Sequence, residues 1–352
     1  MTDEIVRAIR LLITCIGGST VPSLIKCLKN SGNFNYILVG VDSVSAGKSI
    51  DILDSYYQVP NGSDAEYHDK LLEIALKERV DFILPGSDEE ALSISKNINK
   101  FNDSGITAIV SNIDTLELIS NKLETYEVLS KHGLRIPEYE VVNSIEEIKK
   151  SLGKYQYPQK TVISKPSNGR GGRGLYVFKG EDAPPSWLGS GMRESRVDKE
   201  EFTDELLKKA VYKDGLVMPV LTVPAYDVDI MAVEGNVKIV VVRERINPSG
   251  IPFQGNKIIN NKAIEEYCVE IARILNLDGL HDIDLMTNSE GEPCIVEVNP
   301  RPSGSLAASL TAGIPVIDIA ILTLLGGKVP NVCIKSDITV LLDANNIMSV
   351  ST

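Results

Sequence analysis

The sequence predicts an α/β fold in which an N-terminal parallel sheet, covered by helices on both faces, precedes a region of mixed α+β character. Three observations support this prediction. Apolar strand-like runs alternate with helical spacings over residues 1–112, a glycine-rich loop joins two strands near residue 170, and a hairpin pattern begins at residue 281. Strands that alternate with helices are typical of parallel sheets. The 352 residues suffice for two or three domains.

Four short apolar runs in the first 112 residues predict the strands of the parallel sheet. Hydrophobic spacing of 3.6 residues predicts a helix after each of the first three runs, and turn-forming residues separate the elements. The predicted strands cover residues 11–16, 36–42, 82–84 and 107–110, and the predicted helices cover residues 21–30, 69–79 and 88–97.

Two sequences in this region resemble phosphate-binding motifs but lack the required spacing. Gly17-Gly18-Ser19 follows the first strand without the G-x-G-x-x-G pattern, which indicates a tight strand-to-helix turn. Ala46-Gly47-Lys48-Ser49 resembles the end of a Walker A motif, but Asp42 stands where that motif needs its first glycine. Neither sequence therefore predicts a nucleotide site by itself.

The rest of the chain predicts helices and strands of more varied order. Residues 114–132 have the pattern of two helical pieces joined at an exposed Asn121-Lys122, and residues 181–200, rich in proline, glycine and charge, predict a mobile surface insert. The further predicted strands cover residues 141–142, 161–165, 175–178, 216–221, 228–233 and 237–245, and the further helices cover residues 144–150, 261–275 and 315–325.

The loop from Asn168 to Gly174 has four glycines in seven residues and lies between two predicted strands. Glycine lets backbone N–H groups approach phosphate oxygens because no Cβ stands in the way. Arg170 and Arg173 add positive charge, and Lys165 ends the incoming strand, where an ammonium can meet a nucleotide phosphate. We expect a lid over a nucleotide; a plain hairpin turn is the alternative.

The run from residue 281 to residue 305 predicts two strands joined by a turn. Asp284 lies on the first strand, and Glu297 and Asn299 lie two residues apart on the second, so that their side chains leave the same face. Carboxylate and amide oxygens suit Mg²⁺ shared with substrate phosphates. The sequence therefore predicts a magnesium site with Arg301 beside it; a solvated acidic hairpin is the alternative.

Composition excludes several other classes of protein. The net charge of −12 argues against a nucleic-acid partner held on a basic surface. Five scattered cysteines without metal-ligand spacing are typical of buried thiols in a reducing compartment, and three histidines leave little for a histidine-based site. Because we find no signal-peptide layout and no long apolar span, we expect a cytoplasmic protein without a membrane partner.

The ordered set of motifs resembles the ATP-grasp superfamily, most closely its carbamoyl-phosphate-synthase-like and carboxylate–amine ligase branches. The set comprises Lys122 in SNKLETYEVLSKHGLRIP, Lys165 in VISKP, the NGRGGRG loop and the acidic hairpin with Arg301. The stretches GVDSVSAGKSIDILDSYYQVP and DFILPGSDEEAL resemble the α/β domain that precedes ATP-grasp in that branch. The resemblance covers roughly residues 10–327.

The resemblance implies three domains and a role for each motif residue. The domains would be a pre-ATP-grasp α/β domain (1–112), a central ATP-grasp lobe with the lid (113–214) and a C-terminal lobe with the metal site (215–352), so that the ATP-grasp part is two-lobed and α+β. The residues implied to bind ATP are Lys122, Lys165, Asn168, Gly169, Gly171, Gly172, Gly174, Met218, Pro219, Leu221 and Asp229.

The metal and catalytic residues follow from the same resemblance. Asp284, Glu297 and Asn299 would hold Mg²⁺ or Mn²⁺. The implied catalytic residues are Arg301 and Arg245, with Arg243 as an alternative, and they would stabilise charge on the transferred phosphoryl group. The hinge departs from the family pattern because Pro219 stands where an acidic residue is usual; Asp227 or Asp229 are the candidates for ribose, although Asp229 can equally be a structural strand residue.

The resemblance implies an ATP-dependent ligase that joins a small carboxylate, an amino acid among the options, to an amine through an acyl phosphate. Two alternatives remain, namely bicarbonate activation for carbamoyl or carboxyl transfer, and a non-catalytic ATP-binding protein. A homodimer is an expectation taken from the family. Substrate selection is expected from residues 17–20, 85–90, 181–200 and 246–256.

Overall fold

The computed structural model describes residues 8–44, 47–169, 171–183, 194–247, 254–343 and 348–350, without side chains at 47–49 and 200. The strands are β1 (Ala8–Ile13), β2 (Asn35–Asp42), β3 (Ser55–Gln58), β4 (Phe82–Leu84), β5 (Thr107–Ala108), β6 (Glu140–Val142), β7 (Val162–Lys165), β8 (Tyr176–Phe178), β9 (Ser195–Val197), β10 (Gly215–Pro219), β11 (Thr222–Val233), β12 (Asn236–Arg245), β13 (Gly255–Ile259), β14 (Gly279–Thr287), β15 (Pro293–Asn299), β16 (Ile338–Leu342) and β17 (Met348–Val350). The helices are α1 (Val21–Lys29), α2 (Tyr67–Lys77), α3 (Asp88–Lys96), α4 (Ile98–Asp103), α5 (Ile113–Ser120), α6 (Lys122–Lys131), α7 (Ile145–Lys154), α8 (Asp204–Ala210), α9 (Lys262–Ile274), α10 (Ala307–Thr311) and α11 (Val316–Leu324).

Contacts between residues divide the chain into two compact units. The first unit comprises Met1–Glu117, Tyr226–Asp284 and Val298–Thr352, and the second comprises Leu118–Ala225 and Leu285–Glu297. These units cut across the three consecutive domains that the resemblance implies, and that division stays a prediction.

The first unit begins with a five-stranded parallel sheet in the order β3-β2-β1-β4-β5. Alternate residues of β1 face opposite sides: Leu11 and Ile13 pack with Leu24 and Ile25 of α1, whereas Leu12 packs in a separate core with Leu71 of α2. Both faces are therefore buried, which is why β1, β2 and β4 are mostly apolar. The predicted parallel sheet is confirmed; β3 and α4 were not predicted.

A seven-stranded sheet follows in the order β15-β14-β11-β12-β13-β16-β17, with antiparallel pairing from β11 through β12, β13 and β16 to β17. Within the first unit, Met231 of β11 and Ile317 of α11 share one hydrophobic core with Leu11 of β1. The buried carboxylate of Asp318 accepts hydrogen bonds of 2.5 to 2.7 Å from Ser31, Asn33 and Tyr36. The N-terminal sheet is therefore joined to α11 by apolar and polar contacts.

The second unit contains a five-stranded sheet in the order β6-β10-β7-β8-β9. Its pairs are antiparallel except β8 with β9, and α7 and α8 cover the sheet through a core that includes Ile148, Phe178 and Leu207. Ser144 caps α7 by accepting a hydrogen bond from the Glu147 N–H. The glycine-rich loop joins β7 to β8, which confirms its predicted place between two strands.

The structure corrects several local predictions. Lys122 is buried rather than exposed, because its side chain lies against residues of the glycine-rich loop. The end of the predicted surface insert forms the sheet strand β9, while residues 184–193 lie outside the described residues, as do residues 248–253 of the predicted specificity loop. Cys333 is exposed, whereas Cys268 and Cys294 are buried as expected. In the described part of the chain, each helix is too short or too polar to cross a bilayer.

Candidate active site

Lys122 opens helix α6 in the second unit. The helix begins there because the Asn121 side chain caps it, accepting hydrogen bonds from the N–H groups of the next two residues after Lys122. The Lys122 backbone N–H donates to the carbonyl of Ser167 at 2.9 Å, and its Nζ donates to the carbonyl of Gly169 at 2.5 Å. The same Nζ lies 2.9 Å from Oε2 of Glu297. One lysine therefore contacts both the glycine-rich loop and a predicted metal ligand.

Lys165 ends strand β7 and is the second buried lysine of this unit. Its Nζ lies 3.2 Å from the hydroxyl of Tyr126 and 5.5 Å from the centre of that ring. The Tyr126 hydroxyl donates in turn to the carbonyl of Val296 at 2.6 Å. Burial lowers the pKa of Lys165 to about 7, with a further lowering by Lys122 that Glu297 opposes. A nucleotide phosphate beside this amine would favour its protonated form.

The glycine-rich loop has a backbone that requires glycine. Gly169, Gly171, Gly172 and Gly174 have φ angles of +141°, +58°, +73° and +74°, which residues with a Cβ rarely adopt. Tyr212 anchors the loop end by donating a hydrogen bond to the Gly174 carbonyl at 2.9 Å. Such a run of turns presents backbone N–H groups for an anion. Asn168 forms an isolated bridge with Asn121, and Arg170 lies outside the described residues.

The predicted hinge lies at the end of strand β10. Met218 is buried and pairs with Ile163 of β7, while Pro219 and Leu221 are half-buried. The Pro219 carbonyl and the Leu221 N–H remain the predicted contacts to an adenine edge.

Arg243 and Asp229 form a fully buried pair in the first unit. Their Nη2 and Oδ1 atoms are 2.7 Å apart, and the second oxygen of Asp229 accepts from Ser309 at 2.5 Å. Arg243 also donates to Asn256 at 3.2 Å and to Ser305 Oγ at 2.6 Å. Both oxygens of Asp229 therefore have partners, which favours the alternative of a structural strand residue, and its role in nucleotide binding stays a prediction. Arg243 is fully buried with these partners, and its alternative role on the transferred phosphoryl group stays a prediction.

Arg245 neutralises two carboxylates on the same face of the seven-stranded sheet. Its Nη2 lies 2.5 Å from Asp227 Oδ1 and 3.1 Å from Asp284 Oδ1. Burial by itself raises the pKa of Asp227, but Arg245 and then Arg243 outweigh it and hold that pKa below its usual value. Arg245, predicted to be catalytic, thus lies beside the predicted metal ligand Asp284 as its counter-ion.

Asp282 is a buried carboxylate that the sequence analysis missed. Burial, followed by repulsion from Asp284 and Asp227, raises its pKa well above the usual range. Its Oδ1 accepts no hydrogen bond among the described residues and has only a 4.0 Å ion pair with Arg243. The one sequence signal was its position two residues before Asp284, which puts both side chains on the same face of β14.

The ligand atoms of Asp227, Asp282 and Asp284 all lie within 4.8 Å of one another. Oxygen donors at this spacing, one of them without a hydrogen-bond donor, fit a hard divalent cation such as Mg²⁺. Glu297 belongs to the other unit, where it contacts Lys122. Joint coordination by Asp284, Glu297 and Asn299 therefore stays a prediction.

Asn299 is the last residue of β15, and Arg301 follows two residues later. Asn299 donates to Asp282 at 3.2 Å and accepts from Arg301 Nη2 at 3.4 Å, and His281 Nδ1 lies 2.9 Å from its carbonyl. The Nε of Arg301 lies 3.0 Å from Oδ1 of Asp88, at the start of α3. The structure thus brings the predicted catalytic Arg301 beside the predicted ligand Asn299.

Two family models match the chain. One, described as ATP-grasp in the biosynthetic pathway with Ter operon, matches residues 212–344, and the other, the PylC-like N-terminal domain, matches residues 11–109. Residues 212–344 thus match an ATP-grasp family model, as the motifs predicted. The predicted resemblance is therefore confirmed, and the ATP-grasp model covers the strands that carry Asp227, Arg245, Asp284 and Glu297.

The relatives and solved structures similar to this chain are distant from it in sequence. A carbamoyl-phosphate synthase from Methanobrevibacter smithii is 24% identical over 270 residues, 73% of this chain and 65% of the relative. The biotin carboxylase domain of Hydrogenobacter thermophilus 2-oxoglutarate carboxylase, a dimer solved with MgADP and bicarbonate, has a TM-score of 0.65 at 18% identity, covering 94% of this chain and 73% of that one. L-Amino acid ligase from Bacillus licheniformis has a TM-score of 0.65 at 14% identity, covering 95% and 79%. These structures share the α/β fold, as predicted.

Proposed function

We propose that this ATP-grasp protein is an ATP-dependent carboxylate–amine ligase. The observation that carries the proposal is the cluster of Lys122, Lys165 and Glu297 beside a loop of left-handed glycines. Two buried ammonium groups and a row of backbone N–H groups are suited to a triphosphate. The fold shared with an L-amino acid ligase agrees with this chemistry.

A carboxylate reacts poorly with an amine because oxide would have to leave. Phosphorylation of the carboxylate replaces oxide with phosphate, which is a better leaving group. A carboxylate oxygen of the substrate attacks the γ-phosphorus of ATP, the bond to the β,γ-bridging oxygen breaks, and an acyl phosphate and ADP form. An amine nitrogen then attacks the acyl carbon and releases a proton to solvent, and phosphate leaves as the amide forms. Positioning and charge neutralisation account for most catalysis of such phosphoryl transfer, so no nucleophilic side chain is required.

The residues have separate proposed roles in this reaction. Lys122 and Lys165 neutralise the nucleotide phosphates, the loop over residues 168–174 covers them, and Arg301 stabilises charge on the transferred phosphoryl group. Asp284, Asn299 and Glu297 would hold Mg²⁺, which supplies charge neutralisation on the phosphate oxygens when it is bound. Asp227 and Asp282 would be further oxygen ligands, since their carboxylate oxygens lie within 4.8 Å of that of Asp284. Arg245 is proposed as the counter-ion of Asp284.

The test measures ADP and phosphate release with Mg-ATP against pooled amino acids, with mass spectrometry of the products. Glu297→Ala and Lys165→Ala should nearly abolish turnover, since losing one preorganised charge contact costs on the order of 3 kcal/mol. Lys160→Ala, at an exposed lysine paired with Asp182 at 3.6 Å, is the matched control. Near wild-type turnover by folded Glu297→Ala protein would reject the metal assignment.

Bicarbonate activation is the second candidate, favoured by the fold shared with a biotin carboxylase domain solved with bicarbonate. ADP release that requires bicarbonate and no added amino or carboxylic acid would select it. ATP binding without ADP formation across the whole panel would instead indicate a non-catalytic nucleotide-binding protein. We further propose a cytoplasmic location, from the scattered cysteines, and a homodimer, by analogy with the dimeric carboxylase domain.

A further inference from the structure

Arg301 is held from one side by a residue of the N-terminal α/β segment. Its Nε lies 3.0 Å from Asp88 Oδ1, while its Nη2 donates to Asn299 Oδ1 at 3.4 Å. Its Nη1 donates to the carbonyl of Pro302 at 3.0 Å and lies 3.7 Å from Asp282 Oδ2. The carboxylate of Asp88 thus forms an ion pair at Nε of the guanidinium, while Nη2 contacts the predicted metal ligand Asn299.

Asp88 is itself held on a rigid support. It is the first residue of α3, and Ser87 caps that helix by accepting from the Glu90 N–H. The Gly86 N–H donates to Thr14 Oγ1 at 2.9 Å, and Thr14 donates to the buried Glu90 at 2.6 Å. A Cβ at Gly86 would lie 2.3 Å from the Thr14 carbonyl, so only glycine allows this close approach.

We propose that Asp88 is a positioning residue, which orients Arg301 for the transferred phosphoryl group from a segment that precedes the ATP-grasp motifs in the sequence. This inference rests on the proposed function and assigns that N-terminal segment a direct part in it. The guanidinium is planar but is carried on a side chain with several rotatable bonds, so a carboxylate at Nε restricts its orientation in a way that Asn299 alone does not. A displacement of about 1 Å can reduce catalysis roughly 10²-fold.

The test uses the full-length protein and needs no knowledge of the carboxylate or amine. It measures the affinity for Mg-ADP with and without aluminium fluoride, which mimics the phosphoryl group in the transition state of its transfer. We expect aluminium fluoride to tighten Mg-ADP binding, Arg301→Met to remove that tightening, and Asp88→Asn to reduce it roughly ten- to hundredfold. Affinity for Mg-ADP alone should change less than about twofold in Asp88→Asn. The reason is that Asp88 acts through Arg301 on the transferred phosphoryl group, which Mg-ADP does not contain.

Two further variants separate positioning from a general structural effect. Asp114→Asn removes another aspartate from the first turn of a helix, α5, and should leave the tightening unchanged. Asp88→Glu keeps the charge and should restore part of the tightening. In the double variant Asp88→Asn/Arg301→Met, the loss should equal that of Arg301→Met alone, because Asp88 acts through Arg301.

Three results would overturn the inference: wild-type tightening in Asp88→Asn, an additional loss in the double variant, or no tightening in a wild-type protein that binds Mg-ADP. Failure of the wild-type protein to bind Mg-ADP at all would instead reject the proposed function. Thermal melts of each variant identify one that fails to fold, and Asp88→Glu then still tests the requirement for a carboxylate.

Discussion

The two units of the chain differ in the balance of basic and acidic side chains in their buried charged clusters. In the second unit, the buried lysines Lys122 and Lys165 lie near one carboxylate, Glu297, and burial lowers the pKa of Lys165 to about 7. In the first unit, the three arginines Arg243, Arg245 and Arg301 each contact at least one aspartate. The lysine cluster thus has two basic groups and one acidic group, whereas the three arginines of the arginine cluster pair with five aspartates, namely Asp88, Asp227, Asp229, Asp282 and Asp284.

The pKa shifts of Lys165 and Asp282 have opposite directions. Lys165 is hard to protonate because it is buried beside another lysine, so an added anion would stabilise its charge. Asp282 is hard to ionise because it is buried beside Asp284 and Asp227, so an added cation would stabilise it. A phosphate chain supplies the first charge and a divalent metal supplies the second. Each preference, taken by itself, agrees with one component of the proposed Mg-ATP substrate.

The largest expected effect tests whether the arginine cluster is a buried ion network. Arg243→Met should lower the free energy of unfolding by about 3–5 kcal/mol, because Asp229 is left charged and buried without its partner. Denaturant titration measures this change. Arg273→Met is the matched control, since Arg273 pairs with Glu270 at the same 2.7 Å but on an exposed surface, where little change is expected. Equal effects of the two substitutions would contradict the distinction.

The next effect tests whether the lysine cluster binds phosphate. Lys165→Met should weaken Mg-ADP binding roughly ten- to hundredfold, because a charge-assisted contact contributes about 1.5–3 kcal/mol. Isothermal titration calorimetry measures the affinity, and the exposed Lys160→Met serves as the control. Unchanged affinity in folded Lys165→Met would remove this lysine from the nucleotide site.

A smaller effect concerns the contact between Lys122 and Glu297. Since the ammonium lies 2.9 Å from a predicted metal ligand, it competes with a metal ion for that carboxylate. Lys122→Met should raise the affinity for Mn²⁺ without nucleotide by about tenfold, and should weaken Mg-ADP binding. Adding Glu297→Gln to the Lys122→Met variant should remove this gain in Mn²⁺ affinity. Electron paramagnetic resonance of free Mn²⁺ provides the measurement, and a lower Mn²⁺ affinity in Lys122→Met would contradict competition.

The smallest effect is a pH dependence of nucleotide binding. Lys165 is protonated below its pKa of about 7 and neutral above it, whereas a bound phosphate favours the ammonium. Mg-ADP affinity should therefore fall as the pH rises above about 7, by at most roughly tenfold per unit, and binding at pH 8 should take up protons. Calorimetry in two buffers of different ionisation enthalpy measures this uptake. An equal uptake in Lys165→Met would assign it to another group.

Local patterns predicted the elements whose formation depends on neighbouring residues. The hairpin of β14 and β15 was predicted within a few residues, because alternation and the turn residues are local signals. Strands β13, β16 and β17 were missed because they are short, and because the pairing of β13 with β16 joins residues that are distant in sequence. The burial of Lys122 was also missed, because its contact with Gly169 joins residues 47 positions apart.

The sequence by itself determined which chemical groups the chain carries and in what order: two lysines, a loop that requires glycine, and carboxylates alternating along strands. Tertiary structure alone decided how those charges pair. Asp227 and Asp229 lie two residues apart on β11, so their side chains leave the same face of the strand. Nevertheless Asp227 pairs with Arg245, whereas Asp229 is buried with Arg243 and Ser309. The reason is that strand register and desolvation are set by residues far apart in the chain, which local spacing does not encode.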